Sequence, residues 1–166
     1  TGVVDVVIGT QPSGQGHETS FAQVAADLLI VPVGIVNIIM GDTDIVSVGG
    51  GSHSGRSMRH AGAIISQASG ELITKAKKIT AIVLKTDADK IEFNDGRFSS
   101  PTSNRSFDFL ELAKEVAHLT LPPELKDGLA VAAEHDMHDP VFPNGCATCE
   151  IEVDPGLTIL QACEQI

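Results

Sequence analysis

One long apolar repeat constrains the fold of this chain more than anything else in it. From Ser57 onward, Met58, Ala61, Ile65, Ala68, Leu72, Ala76, Ile79 and Val83 recur at spacings of three and four. Side chains so spaced lie on one helical face. Unbroken to about Thr86, such a helix is roughly 45 Å long. In a chain of 166 residues, everything else must pack along that rod. Gly62 and Gly70 interrupt it, as positions where a neighbour can approach closely.

The segments around the rod alternate between strand and helix. Val3 to Ile8 is β-branched except for Asp5 and reads as a mostly buried strand. A loop rich in turn formers follows, Gly9 to Gly16. Phe21, Val24, Leu28 and Leu29 then mark one face of a helix, with Glu18 near its positive end. Pro32 and Gly34 end that helix, and Ile35 to Met40 is a second strand. Gly41 to Gly55 is a second glycine-rich loop, leading into the long helix. Asn94-Asp95-Gly96 signals a hairpin. A shorter helix over 108–118 carries Leu110, Ala113, Val116 and Ala117, and Pro122 and Pro123 stop it. Residues 120–145 read as irregular. Cys149, Ile151 and Val153 alternate with Thr148, Glu150 and Glu152, a strand with Cys149 on its inward face. The fold class is mixed α/β, without internal repeat or clear linker. The chain starts on a strand-like run without Met, as an excised segment would.

Charge narrows the partners. A formal net charge of -11 repels phosphate backbones and anionic membranes, so nucleic acid and membrane surfaces are disfavoured. Local anion binding is still open to backbone N–H groups and a single Arg. Three cysteines, Cys146, Cys149 and Cys163, without a signal-peptide pattern favour a reducing, cytoplasmic setting.

The two glycine-rich loops each join a strand end to a helix start, where unpaired N–H donors and a partial positive charge meet. Two such loops could clasp a phosphate-bearing ligand from two sides. Alone, the signal is weak, because most glycine-rich turns bind nothing. The dinucleotide fingerprint fails, since Gly14-Gln15-Gly16-His17-Glu18-Thr19 lacks its third glycine, and no P-loop is present.

The run Gly9-Thr10-Gln11-Pro12-Ser13-Gly14-Gln15-Gly16-His17-Glu18-Thr19, followed by 21–27, resembles the large subunits of the xanthine dehydrogenase, aldehyde oxidase and carbon monoxide dehydrogenase superfamily. Gly41-Asp42-Thr43-Asp44, Gly50-Gly51-Ser52-His53-Ser54-Gly55-Arg56-Ser57 and the stretch 142–154 follow in that family's order. The resemblance implies a molybdopterin cofactor, commonly in cytosine dinucleotide form. Gly14, Gln15 and Gly16 would form one side of its clasp and Ser54, Gly55, Arg56 and Ser57 the other. Arg56 would offer a charge-assisted fork to the pyrophosphate. The implied reaction is hydroxylation of a carbon centre, or oxidation of carbon monoxide, with water as oxygen source. FAD and [2Fe-2S] clusters would sit on partner subunits or domains. The family's Val-Gly-Glu base motif does not occur here, so no catalytic residue is assigned and the chain alone should be inactive. Residues 1–154 are taken as part of a molybdopterin-binding domain. Residues 155–166 form an atypical tail that resembles the opening of a ferredoxin-like domain of NADH-quinone oxidoreductase.

Two rival readings stand beside this one. His135, His138, Cys146 and Cys149 have the residue types of a tetrahedral zinc set, which would make a small metal-stabilised module. Alternatively the chain is a folding or interaction domain whose loops bind nothing. Asp42 and Asp44 are read as turn formers, Glu111 and Glu115 as a solvated helix face.

Overall fold

A computed structural model of the chain describes residues 2–136, 142, 144–153 and 159–165. Its strands are β1 (Val4–Ile8), β2 (Thr10–Gln11), β3 (Val36–Met40), β4 (Gly50–Gly51), β5 (Glu92–Asn94), β6 (Arg97–Ser100), β7 (Ser103–Phe107), β8 (Thr148–Val153) and β9 (Ile159–Gln165). The helices are α1 (His17–Leu29), α2 (Arg56–Leu84) and α3 (Phe109–Val116). The mixed α/β class and the long helix are as the sequence predicts. At 29 residues, α2 is about 43 Å long.

β1, α1 and β3 form a parallel β-α-β unit, with Val4 opposite Val36 and Ile8 opposite Met40. Only one face of β1 is covered. Ile8 is buried and Val4 and Val6 are half-buried, while Asp5 and Val7 face outward. The β-branched run suggested deeper burial, but a two-stranded sheet with a helix on one side covers alternate residues only. α1 buries Phe21, Ala25 and Leu29, with Ala22 and Ala26 beside them. It stops at Ile30, whose left-handed backbone (φ 53°) closes the helix as Val31 N–H donates to the Ala26 carbonyl.

Along α2 the buried positions include Ala61, Ile65, Ala76 and Ile79. Two apolar clusters share this rod. The one near its start joins Ile8, Phe21, Ala25, Ala61 and Ile65. The one near its end joins Ala76 and Ile79 to Phe98, Phe107, Phe109 and Leu112. Gly62 and Gly70 serve no close approach, because a Cβ on either would meet nothing within 4 Å.

The hairpin turns on Asp95 (φ 48°) and Gly96 (φ 75°), with Asn94 opposite Arg97, the two-residue geometry that suits strand twist. Gly96 abuts the end of α1: a Cβ there would lie 2.6 Å from the Ile30 carbonyl oxygen. β7, which the sequence reading missed, extends the hairpin to three antiparallel strands. α3 begins with a capping box between Asp108 and Glu111. Its buried side chains are Phe109 and Leu112, not the expected Leu110 and Ala113. Phe109 packs edge-on against Phe93 and Phe98 at 5.6 and 5.0 Å, and this aromatic contact rotates the helix onto a neighbouring stripe. Glu111 and Glu115 lie on the wet side but are paired, with Arg97 at 2.8 Å and Arg105 at 2.9 Å.

β8 and β9 pair antiparallel, Thr148 opposite Gln165. Cys146 and Cys149 are exposed, so Cys149 does not pack inward. Among the described residues, the main partner of β8 is β9. Among the described residues, no helix is long and apolar enough to cross a membrane.

Candidate cofactor-binding site

The two glycine-rich loops meet. β2 and β4 are the middle of these loops and pair in parallel, Thr10 opposite Gly50 and Gln11 opposite Gly51. Gly50 N–H donates to the Gly9 carbonyl at 2.8 Å. The backbones approach so closely that a Cβ on Gly49 would lie 2.2 Å from the Gly9 oxygen. That approach explains one glycine of the Gly49-Gly50-Gly51 run without a ligand. Asp42 takes its expected place in a turn, its Oδ1 accepting from Asp44 N–H at 2.9 Å.

Side chains complete the join. Gln15 Oε1 accepts from Ser13 N–H, and Gln15 Nε2 donates to the Ser52 carbonyl at 3.3 Å. His17 Nε2 is 3.1 Å from Ser52 Oγ, and the His17 ring stacks on Phe21 with centroids 4.7 Å apart. Thr10 Oγ1 and Ser57 Oγ lie 2.6 Å apart, with Ser57 buried at the start of α2. The sequence reading gave His17 no particular role. A clue was present in Phe21, four residues on and so on the same helical face.

The join sets the starts of α1 and α2 side by side. Gly16 (φ 68°) precedes α1 and Gly55 (φ 71°) precedes α2, and neither helix has a side-chain cap. The first-turn N–H groups therefore lack the usual Ser, Thr or Asp acceptor. Around Gly14 and Gly16 the space is open, for a Cβ on either would meet nothing within 4 Å. Ser54 shares the left-handed conformation of Gly55, with φ 52°. Arg56 folds back over Gly50, and its Nη1 donates to the Gly51 carbonyl at 2.9 Å. Four residues along, His60 is held below its ordinary pKa of 6.5, first by partial burial and then by Arg56 and Arg59. All seven residues assigned to the clasp thus lie in the two joined loops or the first turn of α2. Gln15, Arg56 and Ser57 already hold partners within the protein.

The zinc set is not assembled in what is described. His138 lies outside the described residues, and among those described no three His, Cys, Asp or Glu side chains gather as metal ligands.

Residues 1–162 match the molybdopterin cofactor-binding domain family. The carbon monoxide dehydrogenase large chain of Afipia carboxidovorans is 31% identical over 159 residues, 95% of this chain and 20% of that protein. The gamma subunit of the 6-hydroxypseudooxynicotine dehydrogenase complex of Paenarthrobacter nicotinovorans is 30% identical over 93% of this chain and 20% of that protein. A crystal structure of the Cu,Mo-CO dehydrogenase superposes with a TM-score of 0.61 at 33% identity, over 67% of this chain and 14% of that one. Quinoline 2-oxidoreductase from Pseudomonas putida 86 gives 0.59 at 31% identity, over 74% of this chain and 16% of that one. The chain spans about one fifth of the length of the curated relatives it matches. On these matches, it belongs to the molybdopterin cofactor-binding domain family, as a portion of a molybdenum hydroxylase large subunit.

Proposed function

We propose that this chain holds a molybdopterin cofactor, in the cytosine dinucleotide form, between the loop before α1 and the loop before α2. The observation that carries this is the joined pair of helix starts, each entered through a left-handed glycine and neither capped by a side chain. The donor chemistry fits an anionic, hydrogen-bond-accepting ligand: backbone N–H groups at two positive helix ends, and open space over Gly14 and Gly16. Gly14, Gln15 and Gly16 would supply one side, and Ser54, Gly55, Arg56 and Ser57 the other. Arg56 would exchange its bond to Gly51 for a phosphate oxygen. When bound, the molybdenum centre supplies two-electron oxidation at carbon with water as oxygen source. This chain's residues bind and orient the cofactor.

In the intact assembly, FAD-binding and iron–sulfur subunits would take the electrons onward, in the cytoplasm. Residues 1–154 would belong to the cofactor domain. The relatives' names span carbon monoxide, nicotine and quinoline chemistry, so the substrate is set by parts of the subunit outside this chain.

The test is a titration of the purified chain with molybdopterin cytosine dinucleotide, alongside its zinc content. Gln15→Ala and Arg56→Ala should each weaken binding by about tenfold, the worth of a charge-assisted or bridging hydrogen bond. Stoichiometric zinc that disappears in Cys146→Ser, with no dinucleotide binding, would instead establish the metal module.

A further inference from the structure

Away from the glycine loops, three unfavourable features meet where α1 ends. The first is Ile30. Its backbone is left-handed (φ 53°, ψ 53°), a conformation that crowds a β-branched side chain and that glycine usually takes at a helix end. Its Cγ2 lies over Gly96, yet 52% of the residue is exposed. The second is Val33, 51% exposed, so two large apolar groups stand in water three residues apart. The third is Asp27, an exposed carboxylate in the last turn of α1. The carbonyl end of a helix carries partial negative charge and favours a cation, but this last turn has no basic residue. Among the described residues no ion pair includes Asp27, and Arg97, next to Gly96 in the hairpin, is already paired with Glu111.

These features frame one hollow. Gln23, Ala26, Asp27, Ile30, Val31 and Val33 line a space of about 530 Å³ that opens to solvent. Gln23 and Asp27 stand four residues apart, on one face of α1, and bring an amide and a carboxylate to an otherwise apolar wall. In the chain by itself, a left-handed isoleucine and an acid at the negative helix end both cost stability. A contact that uses the isoleucine side chain and neutralises the acid offsets both.

We propose that this hollow is a docking site for an arginine side chain, presented by a polypeptide segment with apolar residues beside the arginine. A planar guanidinium has five N–H donors, which suit the two carboxylate oxygens of Asp27 and the amide oxygen of Gln23. Its methylene stem would lie on Ala26 and Val31, and its charge would answer the negative end of α1. The neighbouring apolar residues would cover Ile30 and Val33, which a free small cation leaves wet. That difference favours a polypeptide as the occupant. In the curated relatives, the stretch matched by this chain is about a fifth of a longer polypeptide, so further chain is at hand there to supply such a segment. The docking site is independent of the cofactor reading.

The experiment is an NMR titration of the full chain with the peptide acetyl-Leu-Arg-Leu-amide, followed at the backbone amides of residues 23–33. Saturable shifts confined to those amides are expected. Binding should weaken about five- to tenfold in Asp27→Asn, and equally when citrulline replaces the arginine. Ile30→Gly should weaken it about fivefold while the urea midpoint stays at or above that of the parent. Glu71→Gln, which removes an exposed acid on α2, should leave binding unchanged. Absence of shifts at 23–33 with millimolar peptide overturns the proposal. So does equal weakening by Glu71→Gln and Asp27→Asn, which would mean general charge attraction. Full peptide binding in Ile30→Gly, with a lowered urea midpoint, would show that Ile30 serves the fold and not a partner. Butylguanidinium that binds as tightly as the peptide would overturn the polypeptide occupant and leave a small-cation site. Shifts of the same amides with chain concentration alone, together with a dimer in sedimentation, would give the face to a second copy instead.

Discussion

Gly49 and Gly14 sit in loops of similar composition but are needed for different reasons. At Gly49 the constraint is space, since a Cβ would lie 2.2 Å from the Gly9 carbonyl oxygen. At Gly14 the constraint is conformation, with φ 98° and nothing within 4 Å of a Cβ. Gly49→Ala should therefore separate β2 from β4 and cost about 1–3 kcal/mol, as forced overpacking does. Gly14→Ala should cost about 1–2 kcal/mol through backbone strain while leaving that pairing in place. Urea denaturation measures both costs. Hydrogen exchange at Gly50 N–H, which donates to Gly9, separates the mechanisms: protection falls in Gly49→Ala and persists in Gly14→Ala. Sequence alone marked both positions as glycine-rich loop but could not tell them apart. The difference lies in a partner about forty residues away, and no local pattern encodes it.

Among the elements, α3 shows what a short helix draws from its ends. It has eight residues, too few to be stable alone, so its cap and its packing must hold it. Asp108 Oδ1 accepts from Glu111 N–H at 2.7 Å, and Glu111 Oε2 accepts from Asp108 N–H at 3.0 Å and from Arg97 at 2.8 Å. Asp108→Ala should cost about 1 kcal/mol, read as a shift in urea midpoint. The pH dependence has a definite sign. The Asp108 N–H, and after it Arg97, hold the Glu111 carboxyl below its ordinary pKa of 4.5. A carboxyl depressed in the folded state adds stability in full above the unfolded value and loses it as pH falls through the folded one. Glu111→Gln should therefore narrow the stability difference between pH 6 and pH 3, and an unchanged difference would mean that the bond is idle. The sequence showed that a helix exists here, but the helix ends at Val116, before the stop expected from Pro122 and Pro123. It misplaced the buried stripe, because Phe109 turns toward aromatic rings from two other strands. A periodicity count weighs Leu110 and Phe109 alike and cannot see those rings.

The described residues form two apolar clusters strung on one long helix, with the proposed clasp at the N-terminal end of that helix. The repeat at three and four residues displayed the rod, and the glycine loops with their flanking strands displayed the β-α-β unit. The pairing of β2 with β4 and the third strand of the meander stayed hidden, because they depend on contacts between short polar segments without apolar alternation. Placement on one rod makes a prediction about transmission along it. Ile79 is fully buried in the distal cluster, so Ile79→Ala should cost about 2–5 kcal/mol. Phe21 is fully buried in the proximal cluster and lies under the His17 ring that reaches Ser52. Phe21→Ala should cost about 3–5 kcal/mol, and it also removes the platform on which the first loop is fastened to the second. At a temperature where both variants remain folded, dinucleotide affinity should fall in Phe21→Ala and stay near the parent value in Ile79→Ala. Equal losses would mean that the rod couples the clusters, so that a cavity at its far end loosens the clasp. A loss confined to Phe21→Ala would mean that the clasp is held locally by the α1–α2 contact, and α2 would then serve the site as a rigid mount.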